Sequence, residues 1–501
     1  MNRSLLGTTV RPASPSGLRR FSLEAWRRGG EAHPWRVMAA LAVLMALQIS
    51  PWWYATDDSH SYLSIARSIA RGTGPTNLGS RHLWFSPGYP VLISPLFLLG
   101  ERPFLAISIG QWLLLVGLIA GVYQWGRCAV GEAAIWITSL TVINHALWVH
   151  YRRPLSEIAF VCFLVWTVNT WRSSWAAQRS GEFAARLLLA SLLTAALCLI
   201  RPVGIVLAPA ALVAACLTAR RGAVAWPRAA ATALAIVLAA TVPVALVAAH
   251  ERATAGGRQR TYLDEFREAA DDMLPNYSRG LQICVSDVGR LCIPGMFKTH
   301  GAPGDWTDIN LLLHGPFCLM VAVGWWRWVR RQDDLLAWCL PFFLLLLAAH
   351  AIATGARLML PMLPALLVCF WLSIERLSAR ARRLIVAAAL ASQLAVATGY
   401  WLLVDAPRAW RNHQRQPAID TMAATIARDP GPVSIEALPD DADLLLELAL
   451  DRRVARGGPV SSSRWLISES DRPAPKGFVR SCAAGDLVLW RRLPNQLPRP
   501  R

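Results

Sequence analysis

Long apolar runs without a charged residue dominate the pattern of hydrophobic and polar positions. Residues 229–249 and 384–404 each hold 21 consecutive residues without Asp, Glu, Lys or Arg. About 20 apolar residues are enough for a helix to cross a bilayer. The pattern therefore predicts a mainly α-helical, polytopic membrane protein. The apolar runs predict eleven transmembrane helices, at about 37–55, 104–125, 131–150, 155–171, 184–200, 203–218, 229–249, 309–328, 335–353, 358–374 and 384–404.

The apolar segment 87–99 is an exception among these runs. Its 13 residues include three prolines and are too few to cross a bilayer comfortably. If the segment stays on one side, fourteen arginines lie in the predicted inner connections and four in the short outer ones, namely Arg152, Arg153, Arg201 and Arg357. A crossing segment would invert this ratio against the positive-inside rule. The sequence predicts a non-crossing segment, a cytoplasmic N-terminus and a place in the plasma (inner) membrane.

This topology divides the chain into three parts. Residues 1–35, rich in Arg, Ser, Pro and Gly, are expected to form a disordered basic cytoplasmic tail. The transmembrane domain follows at 36–404. Within it, 56–103 is the first outer loop with juxtamembrane helices, and 250–308 is a large polar outer loop. Residues 405–501 then lie on the extracytoplasmic side.

The tail 405–501 carries patterns of a small α/β domain. The stretches PVSIEAL, SRWLISES and GDLVLWRRL are typical of strands. Between the first two, DADLLLELALDRRV has helical periodicity. The sequence therefore predicts an extracytoplasmic α/β domain at the C-terminus.

Two cysteines stand apart from the others, which lie mostly in or beside apolar runs. Cys284 and Cys292 are eight residues apart in the predicted polar outer loop. An oxidising compartment would allow them to form a disulfide. Two unrelated free thiols are the alternative.

Composition narrows the class of protein further. Charged residues make up 17% of the chain, against about a quarter in soluble domains, which excludes a soluble enzyme or a secreted domain. The net charge of +19 includes only two lysines, Lys298 and Lys476. Most arginines flank apolar runs, where topology requires positive charge. We therefore expect membrane lipids as partners and no nucleic acid.

The first outer loop begins with a pair of carboxylates. Asp57 and Asp58 directly follow the first predicted span, and the apolar residues between Ser59 and Arg71 recur at helical spacing. This spacing predicts an amphipathic helix on the outer leaflet. Asp58 would then be either an ordinary N-cap or, with Asp57, a group that accepts a proton or holds a metal.

Other polar groups fall on the same predicted face. The segment Ser86–Pro90 is either a proline-rich turn or the wall of an outward-facing site. Glu157 lies at the outer end of its predicted span, where a carboxylate needs an ion-pair partner or contact with water. It either forms a salt bridge with Arg152 or Arg153, or is a second acidic group facing Asp57 and Asp58.

Arg201 and Arg357 depart from the positive-inside pattern, since each lies alone at an outer helix boundary. Chance placement is the alternative in an arginine-rich chain. The guanidinium group is a permanently charged planar fork that suits phosphate. Carboxylates, arginines and aromatic residues at one membrane face predict a site for an anionic lipid whose phosphate binds arginine while a carboxylate activates an acceptor.

At this point the chain resembles the GT-C membrane glycosyltransferases, such as lipid-A aminoarabinose transferase and the protein O-mannosyltransferases. Their acidic motif D-E-x-x-Y-x-x-x-A-R is matched by Asp58, Tyr62 and Ala66–Arg67, with Ser59 in place of Glu. Pro87–Pro90 is similar to their proline-aromatic segment, and Arg357–Pro361 to their R-Y-x-x-P element, with Leu358 in place of the aromatic residue.

The resemblance implies a sugar donor linked to polyprenyl phosphate and an extracytoplasmic acceptor. Asp58 would be the base or orienting group for the acceptor hydroxyl, with Asp57 and Glu157 as further catalytic candidates. Some relatives need a divalent metal such as Mg or Mn and others do not; Asp57 and Asp58 are the candidate ligands here. The candidates for donor and phosphate binding are Arg201, Arg357, Arg152, Arg153, Tyr62 and Tyr89.

Two other functions stay open from the sequence. A transporter or flippase for lipid-linked sugars would need polar sites near the midplane, and the candidates are Asn169, His314 and His350. An O-antigen ligase or polymerase-like enzyme would use basic residues of the large loop, here Arg279, Arg290 or His300.

Overall fold

Helices account for most of the described chain, in a computed structural model of the protein. The structure describes residues 33–80, 85–254, 273–292, 308–332, 334–350, 357–435, 442–451, 454–456, 463–469, 475, 478–484 and 487–493. Most of the predicted basic tail 1–35 and much of the predicted loop 250–308 lie outside these residues.

The predicted apolar runs are largely helical, and further helices lie between and after them. The described helices are α1 (Pro34–Ala46), α2 (Asp57–Ala70), α3 (Gly88–Ile93), α4 (Phe104–Val130), α5 (Ala134–Val142), α6 (His145–Tyr151), α7 (Glu157–Trp175), α8 (Ser180–Ile200), α9 (Leu207–Arg220), α10 (Trp226–Thr254), α11 (Met273–Cys292), α12 (Asp308–Arg331), α13 (Leu335–His350), α14 (Leu363–Ile374), α15 (Ala379–Tyr400), α16 (Ala406–Arg428) and α17 (Ala442–Leu450).

The protein is an integral membrane protein. Five helical stretches of the described chain are long and apolar enough to cross a bilayer: Phe104–Val142, Ser180–Ile200, Pro202–Arg220, Trp226–Ala253 and Ala379–Arg428. Other apolar helices are shorter, and α1 ends at Ala46 rather than continuing to residue 55 as the pattern predicts. The number of eleven spans stays a prediction.

The segment 87–99 is short and docks against the end of α8. It forms α3 and a 3₁₀ helix at Ser94–Leu99. A Cβ atom on Gly88 would lie 2.4 Å from the carbonyl carbon of Leu199, so only glycine fits there. Ser86 Oγ donates a hydrogen bond to the Leu199 carbonyl at 2.5 Å. These contacts bring the start of the segment beside Arg201, which follows α8.

The helix predicted after Asp58 is present as α2, but it is packed between other parts of the protein, so its predicted place on the surface of the outer leaflet is wrong. Every residue from Ser59 to Ser68 is buried. One side of α2 packs on α3 and the other on α17. The polar residues that suggested a water-facing side instead contact acidic groups of the C-terminal part, including Glu447 and Asp451.

The C-terminal part contains a mixed sheet, as the strand patterns predict. Its strands are β1 (Val433–Ile435), β2 (Ala455–Arg456), β3 (Trp465–Glu469), β4 (Phe478–Ala484) and β5 (Leu487–Arg492). Their spatial order is β2-β1-β3-β5-β4, with β1 parallel to β2 and β3, and β5 antiparallel to β3 and β4. We call α17, these strands and the described residues that connect them the C-terminal unit.

The C-terminal unit is tied to the helical bundle by a continuous helix. A π-helical turn at Trp401–Asp405 joins α15 to α16. The helix therefore runs across the predicted domain boundary between residues 404 and 405. Buried residues of the unit, such as Val433 and Leu444, belong to the same hydrophobic core as the bundle.

Of the two alternatives for Cys284 and Cys292, the structure has the two free thiols and not the disulfide. Both residues lie on α11, which replaces part of the predicted polar loop, and both are free thiols. Eight residues of α-helix separate two Cα atoms by about 12 Å, whereas a disulfide needs Cα atoms within about 7 Å. Cys284 is buried and its Sγ contacts the Leu344 carbonyl at 3.9 Å.

Candidate active site

A cavity of about 440 Å³ lies where α2, α8, α10 and α13 converge. Its walls are mainly apolar, with Val244 and Val247 from α10 and Phe343 and Leu347 from α13. The same cavity is also lined by ionisable side chains. They are Asp58, Tyr62, Arg201, Glu251 and Arg357.

The start of α2 places Asp58 in this cavity. Thr56 is the N-cap: its hydroxyl accepts from the Ser59 N–H at 3.1 Å, and Ser59 Oγ accepts from the Thr56 N–H at 2.8 Å. This reciprocal capping box satisfies the first free amides of the helix. The interpretation of Asp58 as the N-cap is therefore wrong, and its carboxylate points to another partner.

Arg357 is that partner, and it joins two carboxylates that are far apart in the chain. Its Nη1 donates to Asp58 Oδ2, and its Nε donates to Glu157 Oε1. The side chains of Asp58 and Arg357 keep exposed fractions of 30% and 22%. Both groups are therefore reachable from the cavity, although each neutralises the other.

Arg201 completes a chain of four alternating charges. Helix α8 ends at Ile200 because a residue before proline is disfavoured in the α conformation, and Arg201 is extended with φ −149° and ψ 126°. From there its Nη1 donates to Glu157 Oε1 at 3.1 Å. The chain runs Asp58–Arg357–Glu157–Arg201.

Glu157 lies beneath the two arginines rather than in the cavity wall. Its side chain is fully buried at the first turn of α7, where the helix dipole favours a negative charge. One oxygen, Oε1, accepts from both arginines, while Oε2 has no hydrogen-bond partner among the described residues. The alternative of a salt bridge to Arg152 or Arg153 is wrong. Glu157 therefore holds the arginines in place.

The charge state of the groups that line the cavity follows from this packing. Burial opposes the charge on Arg357, but Glu157 and Asp58 outweigh it and raise the pKa of Arg357 above its ordinary value. Burial raises the pKa of Tyr62 to about 12. At neutral pH the cavity thus presents a permanent cation and a protonated phenol.

Both candidate tyrosines belong to the wall of the site, at different depths. Tyr62 lines the cavity, and its hydroxyl lies 3.2 Å from Ser156 Oγ. Tyr89 is fully buried behind it, with ring centroids 5.2 Å apart, and its hydroxyl accepts from Gln111 Nε2 at 2.8 Å. Tyr62 can contact a bound molecule, whereas Tyr89 supports it.

Arg152 and Arg153 lie outside this cavity. Arg152 Nη2 donates to Asp405 Oδ2 at 2.7 Å, and Arg153 Nη2 to Asp405 Oδ1 at 3.3 Å. Asp405 is the last residue of the π-helical turn and is buried. The two arginines therefore fasten α6 to the start of α16, and the structure does not bring them together with Arg201 and Arg357.

The fold matches solved structures at low sequence identity. ArnT from Cupriavidus metallidurans, bound to undecaprenyl phosphate, matches with a TM-score of 0.57 and 11% identity over 96% of this chain and 100% of that chain. The same protein in the apo state gives 0.54 and 14% over 93% and 99%. The apo Archaeoglobus fulgidus oligosaccharyltransferase gives 0.54 and 14% over 88% and 70%. No family model matches the chain, and no curated protein matches it in sequence.

The chain has the GT-C fold. The similarity extends over nearly the whole chain and includes the C-terminal unit, so the resemblance seen in the motif residues is confirmed at the level of the fold.

A metal site at Asp57 and Asp58 does not fit the arrangement seen in this GT-C fold. The described residues contain no group of three or more His, Cys, Asp or Glu side chains that could hold a metal ion. Asp58 is bound by the cation of Arg357, and Asp57 is exposed and does not line the cavity. A metal requirement stays a prediction.

The residues that suggested other functions have structural roles or lie outside the described part. Asn169 Nδ2 donates to the Gly121 carbonyl at 2.9 Å, and so joins α7 to α4. His314 is buried in α12. His300 lies outside the described residues, and the structure does not describe the side chains of Arg279, Arg290 and His350.

Glu251 is a cavity residue that sequence reasoning missed. It is 6% exposed near the end of α10 and lines the cavity with Asp58 and Arg357. The available signal was its position, since it is the first acidic residue after the uncharged run 229–249. Its place in the cavity wall depends on how α10 packs against the other helices, and a local sequence pattern does not predict that packing.

Proposed function

We propose that this GT-C protein is a glycosyltransferase that moves a sugar from a polyprenyl-phosphate-linked donor to an acceptor hydroxyl. The observation that carries the proposal is the pairing of Asp58 with Arg357 at the polar end of an apolar-walled cavity. An amphiphilic donor needs both features, a cation for its phosphate and apolar walls for its chain. The ArnT structure bound to undecaprenyl phosphate supports this class of donor.

Arg357 and Arg201 are the groups that bind the donor phosphate in this proposal. The guanidinium of Arg357 already carries two carboxylates, so a phosphate reaching it would compete with Asp58, the more exposed of the two. Glu157 would stay in place because it is buried and held by two arginines. Donor binding thus frees Asp58 from its ion pair.

The released Asp58 acts as the general base. The acceptor oxygen attacks the anomeric carbon, the bond from that carbon to the phosphate oxygen breaks, and the acceptor proton passes to the Asp58 carboxylate. The leaving phosphate gains charge as the bond breaks, and Arg357 and Arg201 stabilise that charge. Preorganised cations at a developing charge are commonly the largest catalytic contribution.

The direct test is donor consumption by the purified protein in proteoliposomes, with polyprenyl-phosphate sugars extracted from the native membrane. We expect polyprenyl phosphate to be released as an acceptor from the same membranes is glycosylated. Movement of intact donor between leaflets without release would contradict the proposal and favour the transporter. Deletion of the gene in the native host should raise the level of one polyprenyl-phosphate sugar in lipid extracts.

The orientation is part of the proposal and has its own test. We place α2 and the C-terminal unit on the extracytoplasmic side, because the predicted inner connections hold fourteen arginines and the short outer ones only four. In a cysteine-depleted background, the exposed positions Thr73 and Ser481, changed to Cys, should react with an impermeant maleimide in intact cells.

The matched control for this labelling lies on the opposite side. Gln178, exposed in the connection between α7 and α8, is expected to react as Gln178→Cys only after the membrane is permeabilised. Protection of Thr73→Cys or Ser481→Cys in intact cells, or labelling of Gln178→Cys there, would refute this orientation.

A further inference from the structure

Helix α2 is buried on two opposite faces that serve different neighbours. At 3.6 residues per turn, Asp58 and Tyr62 share one face, and both line the cavity. His60, Ser64 and Arg67 share the opposite face, and all three contact the C-terminal unit. The helix that carries Asp58 is therefore held from behind by residues some 380 positions later in the chain.

Arg67 makes the closest of these contacts. Its Nη2 donates to the Leu448 carbonyl at 2.9 Å and to Asp451 Oδ1 at 2.8 Å. The side chain is 9% exposed. It lies at the C-terminal end of α17, where the free carbonyls of a helix attract a cation. Replacing Arg67 by a neutral residue would remove both contacts at once.

The backbone conformation of Asp451 places its carboxylate against α2. This residue follows α17 in the left-handed conformation with φ 54°, which aspartate tolerates better than most residues. Its Oδ1 also accepts from Ser64 Oγ at 3.2 Å. One carboxylate oxygen thus binds two residues of the same α2 face, one helical turn apart.

A second contact fixes the start of the same face. His60 Nε2 lies 3.2 Å from Glu447 Oε2, and both side chains are nearly buried. The other oxygen, Glu447 Oε1, accepts from the Val454 N–H at 3.1 Å. Glu447 is therefore held by its own unit while it contacts α2 two residues after Asp58.

We infer that Arg67 is a positioning residue, and that through Arg67 and Asp451 the C-terminal unit sets the position of α2 and hence of Asp58. The inference rests on the proposed function. Arg67 touches no part of the cavity, so it acts on the reaction through the helix. Displacement of a catalytic group by about 1 Å can cost about a hundredfold in rate. The donor-binding residues Arg201 and Arg357 lie on other segments and keep their places.

The kinetic test uses Arg67→Met, Asp451→Asn, the double variant and Arg67→Lys in the donor-transfer assay. Arg67→Met and Asp451→Asn are expected to lower kcat by about tenfold or more, with KM for the donor unchanged. The double variant should lose no more than the worse single one, because both changes remove the ion pair between Arg67 and Asp451. Arg67→Lys keeps the charge and should restore most of the loss.

Arg102→Met is the matched control. Arg102 forms a bidentate ion pair with Asp420 on α16, so it also joins the loop after α3 to a late helix, but it does not touch α2. We expect its kcat and KM to equal those of the unchanged protein. A general loss of stability would instead lower the thermal midpoint of these variants without rescue by Arg67→Lys, and would overturn the inference.

Hydrogen exchange separates failure of this inference from failure of the proposed function. In the unchanged protein without donor, the amides of α2 should exchange slowly. Arg67→Met and Asp451→Asn should speed exchange in residues 57–70 and leave α7 and α8 unchanged, whereas Arg102→Met should not affect α2. If the amides of α2 exchange at the same rate in all variants, the inference is wrong, even if the protein transfers sugar. If the unchanged protein transfers no sugar, the proposed function is wrong, and the exchange rates still decide whether Arg67 positions α2.

Discussion

Asp58→Asn is expected to fold and insert normally and to lose at least about a hundredfold in sugar transfer, because general-base catalysis contributes about 10²–10⁴-fold. The helix should survive the change, since Thr56 and Ser59 form its cap. Asparagine has nearly the same size but cannot take up the proton of the acceptor hydroxyl. The measurement is kcat with radiolabelled polyprenyl-phosphate donor in proteoliposomes.

Asp57→Asn is the matched control for this prediction. Asp57 is the neighbouring carboxylate on the same helical turn, but it is exposed and does not line the cavity. We expect it to keep most of the turnover. Equal activity of Asp58→Asn and the unchanged protein would exclude Asp58 as the base, and a loss confined to Asp57→Asn would move the base to that residue.

Arg357→Ala should lower kcat/KM by about a hundredfold or more, since removal of one group that stabilises a developing charge typically costs 10²–10³-fold in rate. The donor phosphate loses a partner in both the ground state and the transition state, so KM should rise while kcat falls. Arg357→Lys keeps the charge but loses the fork that reaches Asp58 and Glu157 together, and it should recover only part of the activity. Steady-state kinetics at varied donor concentration measure both constants.

Arg102→Ala is the control for Arg357. Arg102 is an arginine with a similar ion pair, to Asp420, but it does not line this cavity. Its kinetic constants should not change. If Arg357→Ala and Arg357→Lys both keep normal KM and kcat, the phosphate does not bind at this arginine.

Local sequence patterns predicted which residues line the cavity better than they predicted the contacts of those residues. Asp58, Arg201 and Arg357 were predicted as candidates because each is an ionisable group at the outer end of a helix, where a charge is unusual. Their pairing was not predictable, since Asp58 and Arg357 are 299 residues apart and only the packed bundle brings them together. For the same reason Arg152 and Arg153 looked like phosphate ligands, while their partner Asp405 lies about 250 residues away.

The errors in the fold have a common physical origin. Helix α2 was predicted to lie on the outer leaflet because it is amphipathic, yet its polar side is covered by the His60–Glu447 and Arg67–Asp451 contacts to the C-terminal unit. Periodicity reports which side of a helix is polar and not what covers it. Likewise, the polar content of 250–308 masked α11, whose buried face includes Cys284 and Val288.

The strand patterns succeeded where the helical ones were incomplete. Three predicted strands correspond to β1, β3 and β5, because their alternating or continuous apolar residues are buried in the sheet. Strand β4 was missed: in FVRSCAA the polar residues and small side chains hide its pairing with β5. The pairing depends on β5 and therefore cannot be predicted from the residues of β4 alone.

The most direct test of the central claim is a cryo-electron-microscopy structure of the protein in nanodiscs with saturating polyprenyl phosphate. The phosphate is expected within hydrogen-bond distance of the Arg357 and Arg201 guanidinium groups, with Asp58 displaced from Arg357, Glu157 still bound to both arginines, and the lipid chain between α10 and α13. Phosphate bound at any other place, or an intact Asp58–Arg357 pair beside an empty cavity, would contradict the account.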